Sequence, residues 1–354
     1  ERIFTKNPVQ ALQYGPTEGY EPLREIIAEQ YRARGVPATV DNVLITAGSQ
    51  QGLDLVGRTL INEADPVVTE TPTYVGALQA WRALAPHFVG VPMDECGMLT
   101  DQLGKLDPFK LTYLLPNFQN PSGISLSAER RIKALELAQQ NHFLIVEDDP
   151  YRELRYSGQD VPALVESEAA MLGSNWNTGT KVVHLGSFSK TLSPGLRLGW
   201  MLASEHMIHM CVLAKQGTDL HSSALSQMIT EDLLRHHTLE KNIPKIRTLY
   251  RERRDTMLDV LGSRLTGHAQ WTRPDGGLFL WMTIPGESDS PGLLEQALKQ
   301  NVAFVPGDAF YFDGRGKDAL RLNFSVTPPD MIREGINRLS DVILERQIHP
   351  AGVR

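Results

Sequence analysis

In the stretch HLGSFSKTLSPGLRLGWML, residues 184–202, Lys190 has Ser187, Ser189 and Thr191 close by and Arg197 seven residues on. A lysine that is partly desolvated and set near a second cation gives up its proton more readily. It then becomes a nucleophile able to form Schiff bases with carbonyls. The serines and the arginine suit a phosphate. A nucleotide loop of the GxxxxGK[ST] type is excluded, because Ser189 stands where the second glycine is required, and no GxGxxG follows a strand.

Other polar residues gather where apolar runs end. LITAGSQQ closes on Gly48, Ser49 and Gln50 and then enters a helical pattern. Free N–H groups at such a helix start would bind an anion, although plain N-capping by Ser49 explains the same residues. NFQNPSG supplies Asn117 and Asn120 in a turn, and FLIVEDDPY ends in Glu147, Asp148 and Asp149. Three acids at a strand end can bind metal, cap the next helix or hold a cationic ligand. No histidine cluster accompanies them, which disfavours metal. Asp148 and Tyr151, three apart, can face one ligand. A lysine nucleophile beside phosphate-binding groups points to one cofactor above others, pyridoxal phosphate.

These residues need a scaffold that aligns the ends of several strands. NVLITAG, DPVVTETP, KLTYLLPN, NHFLIVEDD, KVVHLGS and LGWMLAS read as short strands, most apolar throughout. Helical patterns alternate with them, at 20–35, 50–60 and 128–140. This predicts an α/β fold with a mainly parallel sheet covered on both faces, and ligands bind beyond the carboxyl ends of such strands. A long helix is expected over 242–261, with Arg251, Arg253 and Arg254 on a solvated face. After it GGLFLWMTIP, NVAFVPG and ALRLNFS suggest strands of a smaller α+β unit, closed by a helix over 329–344. Residues 286–292 and 311–318 read as polar loops.

The whole chain has 354 residues, 41% hydrophobic and 22% charged, with a net charge of −7. That is an ordinary globular composition, with no basic excess for a nucleic-acid partner. No apolar run is long enough to suggest a membrane span. Two distant cysteines, Cys96 and Cys211, favour a reducing compartment, so a cytoplasmic location is expected. The chain opens at Glu1 in mid-pattern, and a preceding segment is expected.

Six motifs, QYGPTEGYEPLR, ITAGSQQGLDLV, NFQNPSG, VEDDPYREL, SFSKTLSPGLRLGW and LRLNFS, occur in one order from Gln13 to Ser325. In these the chain resembles the fold-type I, class I/II pyridoxal-phosphate aminotransferases, nearest the 2-aminoadipate and kynurenine branch with its LysN-type enzymes. The resemblance implies a large domain, 1–245, with a mainly parallel seven-stranded sheet between helices and an incomplete N-terminal arm. It also implies a smaller α+β domain, 246–354, entered by a long interdomain helix. It implies transamination from an L-amino acid to a 2-oxo acid, usually 2-oxoglutarate, by a ping-pong Schiff-base cycle.

The same resemblance implies residue roles. Lys190 would hold the cofactor and carry the proton, and Asp148 would pair with the pyridine nitrogen. Asn120 and Tyr151 would donate to the phenolate oxygen, and Tyr74 would lie over the ring. Ser49, Gln50, Ser187, Ser189 and Arg197 would bind the phosphate, with Tyr14 reaching the phosphate of the neighbouring subunit in a homodimer with shared sites. Arg321 would clamp the substrate carboxylate, with Asn120 alongside. Two other readings share the fold: an aminotransferase-like ligand-sensing domain of a MocR-type regulator, and a pyridoxal-phosphate lyase. The forms NFQNPSG and EDDPYREL favour the enzyme over the regulator. Donor identity stays open among 2-aminoadipate, aromatic, kynurenine, branched-chain and glutamate-like amino acids.

Overall fold

In the computed structural model the residues described are 2–6 and 8–348. Eight strands form the principal sheet: β1 (Val43–Thr46), β2 (Pro66–Thr71), β3 (His87–Asp94), β4 (Gly97–Met98), β5 (Leu111–Leu114), β6 (Leu144–Asp148), β7 (Val182–Ser187) and β8 (Gly199–Leu202). Their spatial order is β1-β8-β7-β6-β5-β2-β3-β4. The run β7-β6-β5-β2-β3 is parallel, whereas β8 is antiparallel to both of its neighbours and β4 to β3. The sheet is thus mainly parallel, with eight strands where seven are expected; the addition is the two-residue β4, which turns back on β3. The pattern also leaves out β3 itself, HFVGVPMD, whose half-exposed residues, with Gly90 and Pro92, lack a strand signature.

The apolar strands are buried because helices cover both faces. Ser49–Leu60, Val75–Arg82 and Glu205–Gln216 pack together on one side, and Glu21–Arg32, Ala128–Asn141 and Leu164–Leu172 lie on the other. A strand buried on both faces cannot alternate polar with apolar, which is why β5 and β7 read as continuous apolar runs.

A second sheet holds β9 (Gln270–Trp271), β10 (Phe279–Thr283), β11 (Val305–Pro306) and β12 (Ala319–Asn323), all antiparallel in the order β11-β12-β10-β9. The helix Pro329–Ile348 closes it and packs along the long helix Thr238–Leu265, which extends beyond the expected span at both ends. The expected loop at 286–292 is cut short, since Asp289 accepts the Gly292 N–H at 3.0 Å and starts the helix Ser290–Lys299. Of the three arginines expected on a solvated face, Arg251 is exposed, whereas Arg253 is half-buried and Arg254 buried. Arg251 and Arg253 donate to the carbonyls of Tyr156 and Ser325, and Arg254, 9% exposed, donates to Pro274 O at 2.9 Å. Carbonyls on loops packed against the helix take these charges, and helix periodicity carries no trace of them.

The topology brings one set of loops together. β1, β2, β5, β6 and β7 all point their carboxyl ends to one edge of the sheet, and β8 starts there. Gly199 lets that edge close: a Cβ there would lie 2.7 Å from Gly186 O and 2.9 Å from Ser49 N.

Candidate active site

Eleven of the residues singled out from the sequence line one cavity of about 410 Å³ at that edge: Ser49, Gln50, Tyr74, Asn120, Asp148, Tyr151, Ser187, Ser189, Lys190, Arg197 and Arg321. Leu115, Val75, Pro194 and Phe279 complete much of the apolar wall. Tyr14 is not in this wall; it is 79% exposed, with its ring edge-on to His221.

The three strand-end acids separate as the two-residue period of a strand requires. Asp148 points into the cavity. Glu147, on the opposite face, accepts the Leu164 and Val165 N–H groups at 2.6 and 3.0 Å and lies 2.8 Å from His184 Nδ1. It therefore caps the helix Leu164–Leu172. Burial opposes both charges of that pair, but the attraction between them outweighs it, holding the carboxyl low and the imidazole high. Asp149 accepts from Asn117 Nδ2 at 2.9 Å, which turns Asn117 away from the cavity.

Asp148 is 2% exposed. Its Oδ2 accepts the Tyr113 hydroxyl at 2.8 Å, and its Oδ1 is buried with no partner among the described residues. Burial pushes this carboxyl up to about 7. An ionised acid with one orphaned oxygen inside a cavity is costly unless a donor, best a cationic one, meets it there. Tyr113 was missed by sequence reasoning. Its signal is a lone phenol inside the buried strand LTYL, where a hydroxyl must find a partner.

Across the cavity Lys190 follows β7 directly. Burial, and then the charges of Arg197 and Arg321, lower its proton affinity below that of an ordinary lysine. The amine is thus closer to its neutral, nucleophilic form at neutral pH than a surface lysine.

The helix Ser49–Leu60 begins behind Gly48, whose φ of 84° is open to glycine. Gly48 is the capping residue and gives no side-chain cap, so Ser49 is not spent on capping, and Gly48, Ser49 and Gln50 all line the cavity. A Cβ on Gly48 would lie 3.3 Å from Arg197 Nη2, so the guanidinium lies against this turn. Helix start, Ser49 and Arg197 together make a corner whose chemistry could hold an anion. Ser187 Oγ accepts the Ser189 N–H at 3.2 Å and fixes the loop before the lysine. Gln50 is held differently: its Nε2 donates to Gly76 O at 2.8 Å, and the Tyr74 hydroxyl donates to its Oε1 at 3.4 Å.

Arg321, on β12, enters from the smaller sheet. Its guanidinium lies 4.2 Å from the Phe279 ring centroid and 5.1 Å from that of Phe310. Nη1 donates to Asn120 Oδ1 at 2.8 Å, while Nε is buried without a partner among the described residues. The rings orient the planar fork, and Nε remains as a donor for an incoming carboxylate. Phe279 was not singled out from the sequence, because its relation to Arg321 arises only through the β10–β12 pairing. Burial above all pushes the Tyr151 phenol up, and Asn120 beside it works in the opposite sense.

The residues present fit pyridoxal phosphate. The orphaned Asp148 Oδ1 suits a ring N–H, the Gly48–Ser49–Arg197 corner suits a phosphate, and Lys190 suits the aldehyde.

A family model described as aminotransferase class I and II matches residues 7–339. The aromatic-amino-acid aminotransferase 1 of Thermococcus litoralis is 42% identical, over 98% of this chain and 83% of its own length. The crystal structure of the Pyrococcus horikoshii kynurenine aminotransferase superimposes with a TM-score of 0.91 at 41% identity, covering 98% of this chain and 85% of that one. LysN, the α-aminoadipate aminotransferase of Thermus thermophilus, solved with N-(5'-phosphopyridoxyl)-L-leucine, gives a TM-score of 0.91 at 39% identity over 98% and 87% of the two chains.

Proposed function

Because this chain belongs to the class I and II aminotransferase family, a pyridoxal-phosphate-dependent group of enzymes, we propose how its residues run the reaction and on which donors. The donors are L-2-aminoadipate, kynurenine, aromatic and branched-chain L-amino acids, and the acceptor is a 2-oxo acid, 2-oxoglutarate above all. One observation carries the residue assignments: a buried, orphaned carboxylate, a lysine of lowered proton affinity and an arginine with an unused donor share one cavity.

When bound, the protonated pyridine ring withdraws the electron pair left at the substrate α-carbon. Asp148 keeps the ring nitrogen protonated, and Tyr113 holds Asp148 in place. Lys190 supplies the amine that holds the aldehyde carbon. With its amine free, Lys190 would serve as the base that takes the substrate α-proton and as the acid that gives it back. Asn120 and Tyr151 donate to the phenolate oxygen, and Tyr74 covers the ring. Ser49, Gln50, Ser187, Ser189 and Arg197 hold the phosphate, aided by the helix start.

Arg321 grips the substrate α-carboxylate. A lysine cannot offer two parallel donors or lie flat between Phe279 and Phe310. Arg321→Lys is therefore expected to raise the KM for every donor about 10- to 100-fold, with kcat affected less. Steady-state kinetics on two chemically different donors would test this, and an unchanged KM would exclude Arg321 from carboxylate binding.

The exposed Tyr14 supports a homodimer in which it reaches the phosphate site of a second copy, with two active sites shared between subunits. The chain divides at about residue 245 into a large cofactor-binding domain, 1–245, and a smaller domain, 246–354. The joint lies inside the helix Thr238–Leu265; Glu1, Asn7 and residues 349–354 fall outside the described residues. Among the described residues no helix is long and apolar enough to cross a membrane, and a cytoplasmic location is our reading. The donor assignment is tested by ranking kcat/KM for 2-aminoadipate, kynurenine, phenylalanine, leucine and glutamate with 2-oxoglutarate; a chain inactive on all of the first four would overturn it.

A further inference from the structure

A buried ammonium lies outside the cavity and behind the phosphate corner. The Lys215 side chain, on the helix Glu205–Gln216, is 0% exposed. Its three N–H donors are all used: on Gln51 Oε1 at 2.9 Å, Asp219 Oδ1 at 2.7 Å and Ser222 Oγ at 3.2 Å. An ammonium only donates, so it fixes the Gln51 amide with its oxygen inward. That same oxygen accepts the Ala47 N–H at 2.8 Å. The Ser222 hydroxyl in turn donates to Ile45 O at 3.4 Å. One cation thereby ties the end of β1, the turn after it and the first turn of the helix Ser49–Leu60. Between Ala47 and Gln51 lie Gly48, Ser49 and Gln50, the residues on the cavity wall.

Burying an ammonium is costly, and an apolar side chain would fill the space without that cost. Asp219 balances the charge, and the ammonium gains a purpose at this position because its donor to Gln51 orders the turn that opens the helix Ser49–Leu60. We infer that Lys215 is a positioning residue for the cofactor phosphate, setting the Ala47–Gln51 turn from behind. The inference rests on the reading that Gly48–Gln50 and Arg197 take the phosphate.

The test compares pyridoxal phosphate with pyridoxal, which lacks only the phosphate. The full chain is stripped of cofactor and titrated with each by absorbance, after circular dichroism has checked the fold. Lys215→Met is expected to raise the Kd for pyridoxal phosphate about 10- to 100-fold and that for pyridoxal by no more than about 2-fold. Gln51→Leu, which cuts the link but leaves the ammonium two partners, is expected to lower the same phosphate preference, and it decides the question if Lys215→Met does not fold. Arg197→Gln serves as the reference for direct phosphate contact. If Arg197→Gln loses the preference while the folded Lys215 and Gln51 variants keep it, or weaken both ligands equally, the role of Lys215 is overturned. If Arg197→Gln keeps the preference too, the phosphate reading itself fails.

Discussion

Lys190→Ala is expected to lower turnover about 10⁴-fold while the protein still binds pyridoxal phosphate. The variant loses both the amine that holds the aldehyde and the base that moves the α-proton. The phosphate corner, Asp148 and Tyr74 remain to retain the cofactor. The visible absorbance of the lysine-bound cofactor should vanish, and small primary amines added to the buffer should restore part of the rate by supplying a substitute base. A variant that kept within about 10-fold of wild-type turnover, far below the general-base contribution, would exclude Lys190 from the proton transfer.

Asp148→Asn is expected to cost about 10²- to 10⁴-fold in kcat/KM, the equivalent of breaking a buried ion pair of about 3–5 kcal/mol. The asparagine keeps the shape but offers no charge to hold the ring nitrogen protonated. The same substitution has an opposite effect on the protein without cofactor. There the carboxyl is pushed up from 3.8 to about 7, so the folded chain holds a proton that the unfolded chain has lost. Between those two values the unfolded state binds fewer protons, and stability falls as pH rises through the window. The full displacement corresponds to about 4 kcal/mol at most. Cofactor-free Asp148→Asn should therefore melt higher than cofactor-free wild type at pH 8, with the gap closing toward pH 5. Thermal scans at the two pH values check this, and a gap independent of pH would contradict it.

The contrast between these residues and their supports explains what the sequence could reveal. Lys190, Asp148 and Ser49 stand at or just past the ends of strand-like runs and Arg321 within one, and each carries a group whose chemistry can be named from its type. Tyr113, Phe279 and Lys215 act through partners that only the folded chain supplies: Asp148 from the next strand, Arg321 across β10–β12, and Gln51 from another helix. Nothing in their local sequence names those partners. Ser49 shows the ambiguity in small form. N-capping and anion binding predict the same residue, and Gly48 in the N-cap position removes the first of these roles from Ser49. The parallel core was legible because strands buried on both faces are apolar throughout, whereas the half-exposed β3 and the two-residue β4 and β9 carry too little pattern to read.

The central claim is that one cavity stores an amino group between two half-reactions. The most direct measurement adds L-2-aminoadipate or L-phenylalanine to the cofactor-loaded protein with no 2-oxo acid present. It then follows cofactor absorbance and the 2-oxo acid released. Release should stop at about one equivalent per subunit as the cofactor passes to its amino form, with full recovery when 2-oxoglutarate is added and glutamate appears. Release of carbon dioxide and an amine, with no 2-oxo acid, would indicate a lyase-type decarboxylation, and absorbance changes with no product would indicate a sensing domain. Either result would contradict transamination by this site.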